Sequence, residues 1–365
     1  MTKQQLVLED GTTFIGTGFG STESISGEVV FYNGITGYQE MISDPANAGK
    51  IIVMTQPLVG NYGINQDDFE TLDPCINGLI VKEVSDYPSN FRMDESLDSF
   101  FKAHDIPGIT GVDTRKLVTH IRNQGSMKGS ITNIESSLDS IIETLTSIPE
   151  QTNVVEQVSA VKPYIIPGRG SRIVIIDLGI KHGILRELTK RGCHITVVPY
   201  NYGFEKIMRL KPEGVLLSNG PGNPTAIPEV IETIKELIGK TPLFGIGLGQ
   251  LLFGLACGAS TEKLPYGQYG NYPVKDLETN QSHLVAKSQS YTITNNSLDG
   301  TKLEKIYIGL NDKTVEGLKH KEYPAFSVQF NPEGSPGPED IIYLFDSFLQ
   351  EIKQFSENKE DTSNA

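Results

Sequence analysis

The chain has 365 residues, of which 38% are apolar and 21% charged, and it carries a formal net charge of −14. That length is enough for two domains, each with its own core. The acidic balance and the lack of a basic run argue against a nucleic-acid-binding face, and no apolar stretch approaches the roughly 18–20 residues of a membrane span.

The opening MTKQQLVLEDG enters a strand directly and lacks the apolar core of a signal peptide. The cysteines, Cys75, Cys193 and Cys257, are odd in number and have no metal-type spacing. The expectation is a soluble cytoplasmic protein with reduced thiols.

Residues 1–150 are rich in short strands. Residues 6–15 alternate around Asp10-Gly11, a two-residue hairpin signal. Residues 28–32 and 50–55 read as further strands. A helix is expected over 114–125 with Asp113 as its N-cap, and another over 137–147. Residues 151–170 lack helical periodicity and end in Pro and Gly, which marks a linker.

From Ser171 the pattern becomes β-α-β, the signature of a parallel sheet with helices on both faces. Strands are expected at 172–177, 194–199, 214–218 and 241–246. Helices are expected at 180–191, 228–238, 248–256 and 339–352. The second domain is placed at 171–354, and 355–365 reads as a polar, frayed tail.

The segment 244–250, FGIGLGQ, joins a buried strand to an apolar helix through one sharp turn at Gly247. Such an elbow lifts a side chain to a helix N-terminus, where backbone N–H groups stabilise an anion. An enzyme would carry Ser or Cys there, and glycine has no side chain. A dinucleotide loop fits poorly, because the third glycine of G-x-G-x-x-G would fall at Gln250. On these residues alone an ordinary structural turn is the leading reading.

The stretch 245–259, GIGLGQLLFGLACGA, resembles the elbow of the class I, or triad, glutamine amidotransferases. More closely it is similar to the small subunits of carbamoyl phosphate synthetases. The likeness extends, in the same order, through VLEDG at 7–11, TGYQE at 36–40, GNYG at 60–63, GVDTR at 111–115, LSNGPGNP at 217–224 and PEGSPGP at 332–338. It implies an α/β fold: a β-rich N-terminal domain and a class I glutamine amidotransferase-like domain with a parallel sheet.

In that family a Cys thiolate attacks the glutamine amide, a His acts as base and acid, and a Glu orients the His. The resemblance places Gly247 at the Cys position and Asn331 at the His position, and retains Glu333. Asn has no proton to exchange near neutral pH. The family's pocket Ser is Ala46, its Gly-His-Gln is Gly249-Gln250-Leu251, and its Gln-Asn-His-Gly-Phe/Tyr segment is Lys287-Ser288-Gln289-Ser290-Tyr291. The oxyanion groups that remain are backbone ones, from Gly220, Gly222 and Leu248.

No other nucleophile fits. Cys257 falls at the far end of the elbow helix, Cys193 opens a strand away from the site, and Cys75 is in the other domain. His182 begins a helix after the first strand but has no nucleophile to serve. The resemblance implies an ATP-dependent large subunit as partner, which would hold ATP and magnesium, and a product destined for pyrimidines and arginine. No G-x-x-x-x-G-K-[ST] loop occurs here, so no cofactor is assigned to this chain. Three readings follow: a non-catalytic subunit supporting an ammonia-fed partner, a regulatory or decoy pseudoenzyme, and a glutaminase with unfamiliar residues.

Overall fold

The computed structural model describes residues 2–149, 152 and 154–363, and the chain forms two compact units. The first comprises the residues up to 151 together with Pro265–Gly270. The second comprises Thr152–Leu264 and the residues from Asn271 onward.

The first unit holds strands β1 (Lys3–Leu8), β2 (Thr13–Gly20), β3 (Ile25–Tyr32), β4 (Lys50–Met54), β5 (Gly78–Ile80), β6 (Pro107–Thr110) and β7 (Met127–Asn133). β1 pairs with β2 and β7, β2 with β6, and β3 with β7, all antiparallel. β3, β4, β5 and β6 pair in parallel, in that order. The pairings close a seven-stranded barrel, which leaves no strand edge unpaired. Period two divides the side chains: Val29, Phe31, Ile51 and Val53 share a cluster with Leu6 and Leu8, while Val30, Tyr32, Ile52 and Met54 join the other face.

The β1–β2 hairpin turns through Glu9–Thr12 rather than a two-residue loop. Gly11 takes φ +84°, and Asp10 Oδ1 accepts the Thr12 N–H at 2.9 Å. The helix Thr114–Gln124 is capped by Asp113, whose Oδ1 accepts the Lys116 N–H at 3.0 Å.

The second unit holds β8 (Tyr164–Ile166), β9 (Arg172–Asp177), β10 (His194–Pro199), β11 (Gly214–Leu217), β12 (Leu243–Ile246), β14 (Ser282–Ile293), β15 (Leu303–Gly309), β16 (Val315–His320) and β17 (Ala325–Val328), and both ends of β13 (Thr261–Asp276), whose middle, Pro265–Gly270, belongs to the first unit. Five strands run parallel in the order β10-β9-β11-β12-β17. Antiparallel partners extend both sides: β8 beyond β10, and β16, β15 and the end of β13 beyond β17. The sheet is therefore mixed: the strands expected at 172–177, 194–199, 214–218 and 241–246 pair in parallel at its centre, and antiparallel strands that the expectation of a parallel sheet did not include extend it on both sides.

Val174 and Ile176 pack with Val230, Ile234 and Leu252 on one face, and Ile173 and Ile175 with Ile184, Leu188 and Phe348 on the other. These clusters join the helices Pro228–Leu237 and Leu248–Ala256 to one face, and His182–Lys190 and Leu344–Ser363 to the other.

Two further expectations change. Where described, the linker region contains the helix Val154–Val158 and strand β8. Val154 and Val155 are buried, the Ser159 hydroxyl donates to Asp177 O at 2.7 Å, and the Ala160 N–H donates to Asp177 Oδ2 at 2.8 Å. Two buried valines and a carboxylate staple outweigh the lack of periodicity. At the other end, the last helix continues to Ser363, because 355–363 contains no Gly or Pro to stop it. Residues 150, 151 and 153 of the expected boundary and 364–365 of the expected tail lie outside the described residues.

Candidate active site

Parallel sheets gather their sites at the carboxyl ends of their strands. Lys181 follows β9, Asn219 follows β11, Gly247 follows β12, and Asn331 and Glu333 follow β17. Those four strands are consecutive neighbours in the sheet.

Gly247 has φ +58° and ψ −112°, a conformation that strains any residue with a side chain. Its N–H donates to Val328 O at 2.9 Å, and the Gly249 N–H donates to Ser218 O at 3.2 Å, so the turn is pinned to both flanking strands. Gly249 is fixed by space, because a Cβ there would lie 2.4 Å from Leu217 O. A Cβ at Gly247 would meet Asn219 Cβ at 3.3 Å, a tight contact that blocks nothing outright. Leu248 is the first helical residue, so its N–H has no acceptor within the helix. The strand–turn–helix backbone of an elbow is thus present, with glycine at its tip.

Glu333 is paired with a buried lysine. Its Oε1 accepts a hydrogen bond from Lys181 Nζ at 2.7 Å, and both side chains are fully buried. Lys181 Nζ also donates to Ser335 O, and the Lys181 N–H donates to Asn219 Oδ1 at 3.3 Å. Lys181 was missed by the sequence reading, which stopped at its neighbour His182. The available signal was a lysine at the carboxyl end of a central parallel strand, where a carboxylate could reach it.

Asn331 is buried, and its N–H donates to Ala286 O at 2.9 Å, tying it to β14 beside the segment 287–291. In that segment Lys287 Nζ donates to Glu316 Oε1 at 2.5 Å, and Thr314 Oγ1 donates to the same oxygen at 2.6 Å. Ser288, Ser290 and Tyr291 are half-buried, and Tyr291 packs against an apolar cluster.

Leu251 belongs to that same cluster, so it serves the core. Gln250 is fully buried and its Nε2 donates to Val315 O and Gln329 Oε1, each at 3.1 Å. Gly220 approaches so closely that a Cβ would lie 2.1 Å from Leu178 O, and Gly222 takes φ +92°. Ala46 belongs to the first unit, where its N–H donates to Asp44 Oδ1 at 2.9 Å in the turn Pro45–Asn47.

The cysteines are poor substitutes. Burial pushes the Cys257 thiol up to about 12 and Cys75 to about 11, and it raises Cys193. Cys257 follows the nine-residue elbow helix, about 15 Å from Gly247 at roughly 1.5 Å per residue. Among the described residues no group of His, Cys, Asp and Glu could hold a metal ion, and no helix is long and apolar enough to cross a membrane.

A parallel sheet centre with an elbow after a central strand and a buried carboxylate after its neighbour fits an amidotransferase-like α/β domain. Residues 174–351 match the family model "Glutamine amidotransferase class-I", and residues 6–131 match "Carbamoyl-phosphate synthase small chain, CPSase domain". A carbamoyl phosphate synthase small chain from Oceanobacillus iheyensis is 54% identical over 97% of this chain and 97% of its own. Pyrimidine-specific small chains from Halalkalibacterium halodurans and Bacillus subtilis are 53% and 51% identical, over 95% and 96% of this chain and 96% of each of theirs. The chain belongs to the carbamoyl phosphate synthase small chain family.

Proposed function

We propose that this chain is the small subunit of a carbamoyl phosphate synthase in which glutamine hydrolysis is silent, so that its large partner runs on free ammonia. The single observation that carries this reading is Gly247 at the tip of an intact elbow. Triad members act as a unit, and loss of the nucleophile alone forfeits a factor on the order of 10⁶ in the worked protease case. Asn331 at the base position and the Lys181–Glu333 pair support it, since neither supplies a proton relay to a substrate amide. ATP and magnesium are assigned to the large partner. The two pyrimidine-specific relatives favour the pyrimidine branch.

The test is to mix this chain with the purified large subunit from the same genome and compare nitrogen sources. Carbamoyl phosphate should form from ammonium and not from glutamine. Glutamine-dependent synthesis at the ammonium rate overturns the silent-site reading. Ammonium-dependent synthesis unaffected by this chain, with no complex formed, overturns the subunit reading.

A further inference from the structure

The sequence motifs TGYQE and GNYG play no part in the elbow, and the structure gives them a joint task in the first unit. The Tyr38 hydroxyl donates to Gly63 O at 2.6 Å, the Tyr38 N–H donates to the Tyr62 hydroxyl at 3.0 Å, and the two rings stack at 4.1 Å. The Asn65 N–H donates to Gln39 Oε1 at 3.0 Å, and Gln39 Nε2 donates to Asn65 O. This buried frame fixes the segment 60–65.

That segment in turn holds a second loop. The Ser85 N–H donates to Val59 O at 2.8 Å, the Ser89 N–H to Asn61 O at 2.9 Å, and the Asp94 N–H to Ile64 O at 2.8 Å. Met93 packs so closely on Gly63 that a Cβ there would lie 2.3 Å from Met93 Cγ. The Arg92 guanidinium grips Asp68 with two contacts of 3.2 Å.

The outcome of this bracing is an exposed apolar tip. Phe91 is 96% exposed and Tyr87 90%, and Leu58, one residue before the Val59–Val84 bridge, is 40% exposed. Solvent exposure of large aromatic side chains on a rigidly tied loop marks an interaction site, because the ordering cost of docking has been met in advance. The surroundings are acidic: residues 66–96 contain eight Asp or Glu against two Lys or Arg, and Arg92 is engaged by Asp68.

We infer that the loop 84–93, with Phe91 and Tyr87 as anchors, is the docking surface of this chain for the large subunit. The facing surface is an apolar pocket rimmed by Lys and Arg. This rests on the reading that a large subunit is the partner.

The test measures affinity of the full-length chain for the purified large subunit by isothermal titration calorimetry, with sedimentation velocity on the small chain alone. The double variant Phe91→Ala, Tyr87→Ala should bind at least about 30-fold more weakly, the loss expected of anchor residues. Asp86→Lys should weaken binding further from wild type at low salt than at high salt. Val161→Ala, at an exposed apolar position in the other unit, should bind as wild type does. All variants should melt within about a degree or two of wild type, since exposed side chains contribute little to the fold. Wild type failing to bind at about 10 μM, a weak micromolar limit, sinks the partner reading and this inference together. Wild-type binding with an unchanged double variant overturns this inference alone. Self-association of the small chain that depends on Phe91 assigns the surface to a second copy and also overturns it.

Discussion

Lys181 Nζ lies 2.7 Å from Glu333 Oε1, and neither side chain is exposed to solvent. The pair joins the end of β9 to the segment after β17, across 152 residues of sequence. Breaking such a pair leaves one charge buried alone, which costs about 3–5 kcal/mol, whereas replacing both partners by apolar groups costs far less. Lys181→Met and Glu333→Leu should each lower the unfolding free energy by that amount in urea titrations. The double variant should lose less than either single one. Independent, additive losses would show that the two residues do not share an interaction.

The repeating β-α-β half was legible because its signals are local. Residues 172–177 and 194–199 form the expected strands to the residue, and Asp113 caps its helix as its position suggested. The barrel was not legible. β5 is only three residues long, and closure depends on pairs such as Gln4 with Asn133 that no local pattern encodes. The antiparallel strands β15 and β16 were missed although they pair with each other locally, and register shifts between Lys305 and Ile308 break the pairing along β15. At the site, the strand–turn–helix at Gly247 was legible from the apolar runs that flank it, and its reading as an amidotransferase elbow came from the resemblance of 245–259. The burial of Lys181 was not legible, because a lysine is buried only when a distant carboxylate receives it.

Electrophilic glutamine analogues that trap amidotransferase thiolates should leave this chain unlabelled. Thiolate is the reactive form, and burial raises Cys193 and holds Cys75 near 11 and Cys257 near 12. Intact-mass spectrometry after exposure at pH 7.5 should show the unmodified mass. Stoichiometric addition at any of the three cysteines would reopen the question of an alternative nucleophile.

Glu351, on the helix Leu344–Ser363, has Oε2 buried with no hydrogen-bond partner among the described residues. Burial raises its carboxyl from 4.5 to about 7, against a smaller opposing pull from Lys319. The folded value lies above the unfolded one, so the native state takes up this proton first as pH falls. Its contribution therefore becomes more favourable from pH 7 down towards 4.5 and is unfavourable above 7. Glu351→Gln keeps the neutral shape at every pH. It should raise the unfolding free energy at pH 8 by about 1–3 kcal/mol, with the gain fading by pH 5. A gain independent of pH would place its origin elsewhere.

Gly247→Cys tests the elbow most directly. The backbone at φ +58° and ψ −112° is held by the hydrogen bond from Gly247 N to Val328 O, so a cysteine must adopt it rather than relax it. The new Cβ meets Asn219 Cβ at 3.3 Å, which a small shift relieves. Strain of this kind costs about 1–3 kcal/mol, and urea unfolding of the variant should show a loss in that range. The thiol would sit at the N-terminus of the helix Leu248–Ala256, where orphan N–H groups favour the thiolate. It should therefore react with iodoacetamide at pH 7.5 much faster than the three native cysteines. Glutamine hydrolysis should still stay at background, because Asn331 cannot take or return a proton and Leu251 packs into the core. Recovery of hydrolysis by this single substitution would mean that the pocket and a base survive, and that only the nucleophile had been lost.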